Sequence, residues 1–285
     1  MSFSASQLFD LSGRVVLVTG GGTGLGKIFT KTYVENGASK VFITGRRIDK
    51  LKETADEINS LGHSGVVVPI VGDVASKDGI KDLIRDINAA TDTLDILVNN
   101  AGILSPVESP RTGASIDELE SPEEYATRVA EGNYDGWVDS VKINSIAPYF
   151  LTIGLLPLLA AAAKKGEGRG NVIVVTSIAG LSYSTPMPAS YQSSKAAAIS
   201  VTKGLSTRLS PYGVRVNSVA PGIFPTDMSG GLLSEKLKQT IPMQKFGEPE
   251  EIAGLVLYLS SKAGSYSHGT NHVIDGGRLL TVPAS

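Results

Sequence analysis

A tyrosine and a lysine one helical turn apart are the first candidates for chemistry in this sequence. Tyr191 and Lys195 lie four residues apart in a segment predicted to be helical, 189–210, so their side chains would share one helix face. A free tyrosine is a poor base at neutral pH because its pKa is about 10, and a nearby ammonium lowers that pKa by favouring the phenolate. Ser177, at the end of a predicted strand, can hydrogen-bond to a substrate oxygen. The three residues together predict proton transfer at an oxygen atom, although each alone also fits a structural role as a surface pair or a cap.

A glycine-rich turn, TGGGTGLG at 19–26, provides a second candidate site. It follows a predicted strand, 14–20, and precedes a predicted helix, 24–36. Glycines let backbone N–H groups approach a pyrophosphate, and a helix N-terminus adds partial positive charge. A flexible turn is the structural alternative, but the position between strand and helix favours dinucleotide binding.

Short apolar strands alternate with helices along the chain and must position these residues. Strands are predicted at 14–20, 40–45, 65–71, 94–99, 171–177, 214–220 and 272–275. Helices are predicted at 24–36, 48–61, 78–90, 122–130, 189–210 and 249–261, and the uncharged segment 143–163 is predicted to be one largely buried helix. Such alternation is typical of a parallel sheet covered on both faces. We therefore predict one α/β domain over 1–285, a doubly wound Rossmann-type sheet of seven parallel strands with helices on both faces.

Five motifs in order along the chain resemble those of the short-chain dehydrogenase/reductase family. They are TGxxxGxG at 19–26, NNAG at 99–102, Ser177, YxxSK at 191–195 and PGxxxT at 221–226. The likeness covers roughly residues 11–277, and five motifs at sensible spacing are far more specific than any one of them.

The resemblance implies a catalytic set and a nicotinamide cofactor site. The implied catalytic residues are Asn144, Ser177, Tyr191 and Lys195, with Asn144 supporting a water that feeds protons to Lys195. The implied cofactor-binding residues are Gly20, Thr23, Gly24, Leu25, Gly26, Arg46, Arg47, Asp73, Val74, Asn100, Ala101, Gly102, Tyr191, Lys195, Pro221, Gly222, Ile223 and Thr226. Asp73 would contact adenine, with an N-cap for the next helix as its alternative role. Ile223 and Thr226 would meet the nicotinamide carboxamide.

The end of the second predicted strand bears on which nicotinamide cofactor is used. An acid at this place binds the ribose 2′-hydroxyl of NAD, but this chain has Gly45 there, followed by Arg46 and Arg47. A guanidinium can pair with a 2′-phosphate through two hydrogen bonds, which favours NADP(H). The alternative is that both arginines are solvated and Asp49 binds the ribose. Thr23 stands where many NADP-dependent relatives carry a second basic residue.

The resemblance implies an NADP(H)-dependent oxidoreductase that transfers hydride between nicotinamide and a carbonyl or secondary alcohol, with a ketone reductase expected. One alternative is a relative repurposed for dehydration, epimerisation or cyclisation, and another is a non-catalytic NADP(H)-binding scaffold. The complete set of Asn144, Ser177, Tyr191 and Lys195 argues against both. The segment 143–163 and the small residues at 196–200 resemble the family's subunit interface, which implies a homodimer or homotetramer.

Two segments are candidates for substrate recognition. A loop at about 223–245 is rich in apolar residues, and the resemblance implies that it closes over a small-molecule carbonyl or alcohol substrate. Tyr183, Met187 and Pro188 would line the opposite wall, with core or subunit packing as the alternative. The irregular segment 105–136 is longer than is usual in the family, and we expect it to cap the substrate mouth or contact a neighbouring subunit.

Composition excludes several other classes of function. Lys and Arg number 26 against 28 Asp and Glu, a net charge of −2 that argues against a nucleic-acid partner. The chain has no cysteine, which excludes disulfides, thiolate catalysis and iron–sulfur clusters, and three histidines predict no metal site. Polar residues and prolines interrupt the uncharged segment, so we expect no membrane span, and the lack of a targeting signal predicts a cytoplasmic location.

Overall fold

Seven parallel strands form one sheet in the computed structural model of this chain, which describes residues 3–105, 121–182, 187–229 and 233–281. The strands are β1 (Val15–Thr19), β2 (Lys40–Gly45), β3 (Val66–Val71), β4 (Ile96–Asn99), β5 (Asn171–Val175), β6 (Arg215–Pro221) and β7 (Asn271–Ile274). Their order across the sheet is β3-β2-β1-β4-β5-β6-β7, and all neighbours are parallel. The predicted fold class is confirmed.

Helices connect the strands and cover the sheet. The α-helices described are α1 (Ala5–Leu8), α2 (Gly24–Glu35), α3 (Ile48–Asn59), α4 (Lys77–Ala90), α5 (Pro122–Ala130), α6 (Tyr134–Val141), α7 (Ala147–Gly154), α8 (Leu156–Ala163), α9 (Ala189–Leu209), α10 (Glu235–Gln239), α11 (Pro249–Ser260) and α12 (Arg278–Thr281). A π-helical turn, Lys142–Ile146, joins α6 to α7, and a 3₁₀ turn, Ile178–Gly180, follows β5.

Alternating strand residues build two cores, one on each face of the sheet. In β1, Val16 and Val18 pack on the face covered by α2, α3 and α11, whereas Leu17 packs on the face covered by α4, α7, α8 and α9. In β5, Ile173 lies in the first core and Val172 in the second. Strands apolar on both sides fit only a sheet covered on both sides, which is why the continuous apolar runs predicted the architecture correctly.

The prediction of one helix over 143–163 is wrong. The segment forms the last part of the π-helical turn, then α7 and α8, with a break at Leu155, and Leu151 and Leu159 are buried in the second core. In the part of the chain that the structure describes, no single helix is long and apolar enough to cross a membrane. The bent pair formed by 134–154 and Leu156–Ala163, at 62°, meets the length and composition criteria only when both are counted together.

Buried arginines tie together the amino ends of the strands. Arg14 donates to the carbonyls of Ser260 and Glu167, at 2.9 and 2.8 Å. Arg215 donates to four carbonyls at 2.9 to 3.0 Å, those of Gly168, Leu259, Gly264 and Ser267. Through these bonds the two guanidinium groups hold the connection before β5, the end of α11 and the connection before β7 against the sheet.

Candidate active site

The carboxyl ends of the strands border a cleft of about 460 Å³. It lies where β1 is flanked by β2 and β4, whose connections run to opposite sides of the sheet, a position at which doubly wound sheets bind ligands. The loops after β1, β2, β3, β4, β5 and β6 all contribute to the wall. The predicted site residues that line the cleft are Gly20, Thr23, Gly24, Leu25, Arg46, Arg47, Asp73, Val74, Asn100, Ala101, Gly102, Ser177, Tyr191, Lys195, Pro221, Gly222, Ile223 and Thr226.

The glycine turn after β1 has no room for side chains. Gly20 has φ +65°, and a Cβ there would lie 3.0 Å from the Asn100 amide nitrogen. A Cβ on Gly26 would collide with the carbonyl oxygen of Gly20. Gly26 does not line the cleft, and its missing side chain instead allows α2 to pack closely against the turn.

The N-terminus of α2 faces this turn with free donors. The side chain of Thr23, at the N-cap, makes no capping hydrogen bond, so the first backbone N–H groups of α2 keep their capacity to bind an anion. This uncapped helix end and the glycines of the turn before it fit a pyrophosphate group.

Asn100 locks the turn to the end of β4. Its Nδ2 donates to the carbonyls of Thr19 and Gly20, at 2.9 and 3.2 Å. In return, the Thr19 hydroxyl accepts the backbone N–H groups of Asn100 and Ala101, at 3.0 and 2.9 Å. The NNAG motif therefore holds the ends of two neighbouring strands in register around the cleft.

Two arginines after β2 line the cleft and are exposed to solvent. Arg46 and Arg47 form no ion pair with residues that the structure describes, and Gly45 before them carries no side chain. Asp49 does not line the cleft and lies in the first turn of α3. The cleft wall directly after β2 thus carries two positive charges, and neither Gly45 nor Asp49 places a carboxylate on it.

Asp73 lines the cleft after β3, as the sequence predicts, but it does not cap α4. Its Oδ1 accepts the N–H of Ala75 at 3.0 Å, whereas the N-cap of α4 is Ser76, whose hydroxyl accepts the N–H of Gly79. The alternative role of Asp73 as a helix cap is therefore wrong, and its other carboxylate oxygen faces no protein donor within the described ranges.

Tyr191 and Ser177 meet on the cleft wall. Ser177 follows β5, and its hydroxyl accepts the N–H of Ala179 at 3.1 Å. Tyr191 lies in the first turn of α9, and its hydroxyl is hydrogen-bonded to Ser177. Burial raises the pKa of the Tyr191 phenol, and the bond to Ser177 opposes this only in part. The sequence predicts that Lys195 lowers this pKa, but burial outweighs any such decrease. Tyr191 is therefore a neutral phenol at pH 7.

Lys195 is buried beside Tyr191 with one protein acceptor. Its Nζ donates to the carbonyl of Val175 at 2.9 Å and lies 5.6 Å from the centre of the Tyr191 ring. Burial lowers the Lys195 pKa to about 8, so the amine exchanges protons near neutral pH. The remaining N–H groups are available to a ligand in the cleft.

Asn144 lies in the π-helical turn and does not line the cleft. Its side chain binds the backbone of Ile103, which does line it, with Oδ1 accepting from Ile103 N at 2.9 Å and Nδ2 donating to Ile103 O at 3.0 Å. Asn144 therefore shapes the wall from behind instead of contacting a ligand with its side chain.

The loop after β6 closes the other side of the cleft. Gly222 donates its N–H to Ile274 O at 2.8 Å, and a Cβ there would lie 2.7 Å from the Cα of Asp275. Thr226 faces the glycine turn, since a Cβ on Gly24 would lie 3.5 Å from its side chain. The loop is held in this position by Ser229, whose hydroxyl donates to Phe224 O at 2.6 Å.

The remainder of the cleft is largely apolar. The apolar side chains that line the same cleft as Tyr191 include those of Ile103, Leu104, Ile143, Met187, Phe224, Met228, Leu237 and Leu279. Of the residues expected on this wall, Met187 lines the cleft, Pro188 does not, and Tyr183 lies outside the described residues. Residues 106–120, within the irregular segment, and 230–232, within the loop at 223–245, lie outside the described residues.

Sequence reasoning missed several lining residues. Lys50 and Gln192 line the cleft, and so do Arg278 and Leu279 near the end of the chain. Gln192 could have been found because it lies inside the YxxSK motif. Arg278 and Leu279 are more than 50 residues from any motif, and only the tertiary fold brings them to the cleft.

Comparison with known proteins decides the family. The sequence matches the short chain dehydrogenase family over residues 14–237. The chain belongs to the short-chain dehydrogenase/reductase family. Members of this family are oxidoreductases that use a nicotinamide dinucleotide on small-molecule substrates.

Two curated relatives illustrate the range of this family. The short-chain dehydrogenase/reductase VdtF of Byssochlamys spectabilis is 33% identical over 312 aligned residues, which cover 100% of this chain and 98% of VdtF. The rhamnolipids biosynthesis 3-oxoacyl-(acyl-carrier-protein) reductase of Pseudomonas aeruginosa is 32% identical over 274 residues, covering 94% and 97% of the two chains.

Solved structures of family members share the fold. The Pseudomonas aeruginosa RhlG/NADP active-site complex has a TM-score of 0.79 at 31% identity and covers 95% of this chain and 98% of its own. A 7α-hydroxysteroid dehydrogenase complexed with NADH and 7-oxo glycochenodeoxycholic acid has a TM-score of 0.77 at 27% identity and covers 97% and 98%. Family members thus bind either cofactor, and the choice depends on local residues.

Proposed function

We propose that this chain is an NADP(H)-dependent reductase that converts a ketone to a secondary alcohol. The observation that carries the proposal is the pair of hydrogen-bonded hydroxyls, those of Tyr191 and Ser177, on the wall of the cleft that the glycine turn also lines. Because burial keeps Tyr191 neutral, its phenol is a proton donor at pH 7, and carbonyl reduction needs a proton donor at the oxygen.

The side chains divide the work at the substrate oxygen. Tyr191 donates the proton to that oxygen, and Ser177 hydrogen-bonds to it as negative charge develops. Lys195 is mostly protonated at pH 7, and its free N–H groups bind the cofactor ribose and favour the phenolate that Tyr191 becomes. When bound, the nicotinamide supplies the hydride.

The cofactor choice rests on the residues after β2. Arg46 and Arg47 have no carboxylate partner among the described residues, and their charge is available to a 2′-phosphate. Gly45 offers no carboxylate to the ribose of NAD. Leu25 and the α2 N-terminus hold the pyrophosphate, and Asp73 and Val74 border the adenine.

The substrate is an uncharged or weakly polar ketone with an apolar body. Aliphatic and aromatic side chains, including those of Phe224, Met228 and Leu237, line the cleft that Tyr191 faces, and such a lining favours apolar ligands. The Pseudomonas aeruginosa relative is named for a 3-oxoacyl group, and the steroid dehydrogenase holds a 7-oxo compound. Both names contain an oxo group, the group that this reaction would reduce.

A cofactor titration and a ketone panel test this proposal together. We expect NADPH to bind at least tenfold more tightly than NADH by nicotinamide fluorescence, and NADPH to be oxidised in the presence of an apolar ketone. Gly45→Asp places at this position the acid that binds the ribose in NAD sites. There is room for the new side chain, because a Cβ at Gly45 would meet Leu51 at an ordinary contact distance of 3.7 Å. This variant should weaken NADPH and strengthen NADH. Equal affinities in the unmodified chain would refute the choice of cofactor.

We also propose that the chain forms a homo-oligomer through α7 and α9. Phe150 on α7 is 52% exposed and packs edge-to-face on Tyr149 at 5.5 Å, and Ile146 beside it is 42% exposed. α9 exposes the small residues Ala196 and Ser200. Phe150→Glu should reduce the mass measured by light scattering to that of a monomer, whereas an unchanged mass would place the interface elsewhere.

A further inference from the structure

The side-chain amide of Asn144 is fully used inside the protein. A primary amide has two N–H donors, and those of Asn144 go to Ile103 O at 3.0 Å and to the Ser194 hydroxyl at 2.9 Å. Its oxygen accepts from Ile103 N at 2.9 Å. These three bonds fix the orientation of the Asn144 amide, and the hydroxyl of Ser194 is the acceptor for its second N–H.

Ser194 binds two consecutive residues of the π-helical turn. Its hydroxyl accepts from Asn144 and donates its single O–H to the carbonyl of Tyr191 at 2.8 Å. Its carbonyl accepts the hydroxyl of Ser145 at 2.6 Å. Asn144, Ser145 and Ser194 are each at most 3% exposed, and we call these three residues the clamp. Bonds of this kind in a water-free environment polarise one another and fix a single geometry.

The clamp lies between the wall of the cleft and the two reactive side chains. Ser194 precedes Lys195 in α9 and bonds to Tyr191 one turn earlier. On the other side, a Cβ on Gly102 would lie 3.0 Å from Asn144 Oδ1 and 3.4 Å from Lys195 Nζ. The strip formed by Gly102 and Ile103 is thereby held against the Lys195 amine. π-helical turns often occur at functional sites.

We infer that Ser194 is a positioning residue for Tyr191 and Lys195, acting through Asn144, an inference that rests on the proposed reductase function. Ser194 touches no ligand because it does not line the cleft. Its hydroxyl joins the wall of the cleft to the helix that carries the proton donor.

Loss of this hydroxyl has a defined consequence. In Ser194→Ala, one Asn144 N–H is left buried and unpaired. The amide then rotates or binds a water molecule, and its hydrogen bonds to Ile103 weaken. The Tyr191 carbonyl loses only a secondary partner, because it remains within α9. Proton transfer should suffer, while the cofactor contacts of the glycine turn stay intact.

The same helix supplies a matched control. Ser206 is also buried in α9, and its hydroxyl makes the same bond to the carbonyl three residues earlier, Lys203, at 2.7 Å. It has no contact with the clamp. Ser206→Ala therefore reproduces the loss of a buried serine hydroxyl from this helix without touching Asn144.

The first measurement needs no substrate. Hydrogen–deuterium exchange of the amide of Ile103 should speed up at least tenfold in Ser194→Ala and in Asn144→Ala, and less than twofold in Ser206→Ala. The NADPH dissociation constant should stay within threefold in Ser194→Ala and Ser206→Ala. Equal exchange in Ser194→Ala and Ser206→Ala would overturn the inference by itself.

The second measurement uses ethyl acetoacetate and NADPH as the turnover probe. We expect kcat to fall 10- to 100-fold in Ser194→Ala with KM within threefold, and not to fall in Ser206→Ala. In the Asn144→Ala background, Ser194→Ala should have less than a threefold further effect, because it acts through Asn144. An unchanged kcat, or full additivity in this cycle, overturns the positioning role. If no ketone is reduced by the unmodified chain, the proposed function fails and the exchange measurement alone decides the clamp.

Discussion

The positively charged side chains at the two ends of the sheet differ in how many of their donors the protein itself binds. At the amino ends, Arg14 and Arg215 are buried and give their N–H groups to six backbone carbonyls. At the carboxyl ends, Arg46 is exposed without an ion pair among the described residues, and Lys195 is buried with a single carbonyl acceptor. The guanidinium groups at the amino ends bind backbone carbonyls and stabilise the fold, whereas the cations at the carboxyl ends keep donors that a ligand can use.

The strongest test of this contrast removes the proton donor at the carboxyl end. Tyr191→Phe keeps the ring and its packing but deletes the hydroxyl, so we expect kcat for ketone reduction to fall by about a thousandfold or more. The NADPH dissociation constant, from fluorescence titration, should stay within threefold. A variant that keeps more than a tenth of its turnover would show that another group supplies the proton.

At the amino end, the same kind of deletion should affect stability alone. Arg215→Met leaves four carbonyls without their donor, and we expect the free energy of unfolding to fall by about 3–5 kcal/mol. Urea unfolding gives the value, and NADPH affinity in the folded variant should be unchanged. Arg208→Met is the matched control. Among the described residues this exposed arginine on α9 donates only to Gly204 O, so its loss should change stability by less than about 0.5 kcal/mol.

Arg46→Met should produce the reverse pattern. With no partner to lose within the described ranges, the variant should keep its free energy of unfolding within about 0.5 kcal/mol. NADPH affinity should fall by about 10- to 100-fold through loss of the 2′-phosphate contact, while NADH affinity, measured in parallel, stays constant. A parallel loss of both affinities would assign Arg46 to the shape of the cleft instead.

The buried amine of Lys195 should lower the free energy of unfolding by an amount that depends on pH. Burial lowers its pKa from 10.5 to about 8, a difference of about 3 kcal/mol that opposes folding wherever the amine is charged in both states. Between pH 8 and 10.5 the folded chain releases the proton before the unfolded chain, so stability rises with pH there. Lys195→Met should thus be more stable by about 1–3 kcal/mol at pH 7 and lose this advantage towards pH 10.5. Equal pH slopes in urea unfolding of both proteins would contradict this.

The irregular segment should contribute little to stability. The base of this segment is closed, since a Cβ on Gly136 would lie 2.6 Å from the Ser105 hydroxyl, and α5 has no buried residue. Replacing 106–132 with a short Gly-Ser linker should change the free energy of unfolding by less than about 1 kcal/mol. Our hypothesis that the segment caps the substrate mouth or contacts a neighbour requires a change in KM or in mass by light scattering. If neither KM nor the mass changes, both roles are rejected.

Local sequence signals predicted most of the architecture. Strand positions were predictable because residues such as Val16 to Val18 must be apolar on both sides of a covered sheet. Helix positions followed from apolar spacing and caps, as in α4, which begins after Ser76 and buries Ile80, Leu83 and Ile87. The break at Leu155 was not predictable, because an uncharged run contains no periodic signal to mark a bend.

Part of the candidate site was likewise predictable from local sequence motifs, whereas the rest depends on contacts between residues far apart in the chain. The glycine turn and the pair Tyr191 and Lys195 are local patterns, so the sequence alone determined which atoms a turn or one helix face presents together. The closure of the cleft is not local, since Asn100 binds Thr19 from 81 residues away and Asn144 binds Ser194 from 50. Neither spacing has a period that a sequence could reveal.

The sequence by itself determined the fold class and the family and predicted which side chains react, because periodicity and motif spacing are properties of short segments. Only the tertiary structure decided how those side chains ionise and which of them line the cleft. Burial depends on everything packed around a group, and it raises the Tyr191 pKa where its neighbour in sequence predicted a decrease. The same packing takes Asn144 off the cleft surface and makes Ser194 its partner.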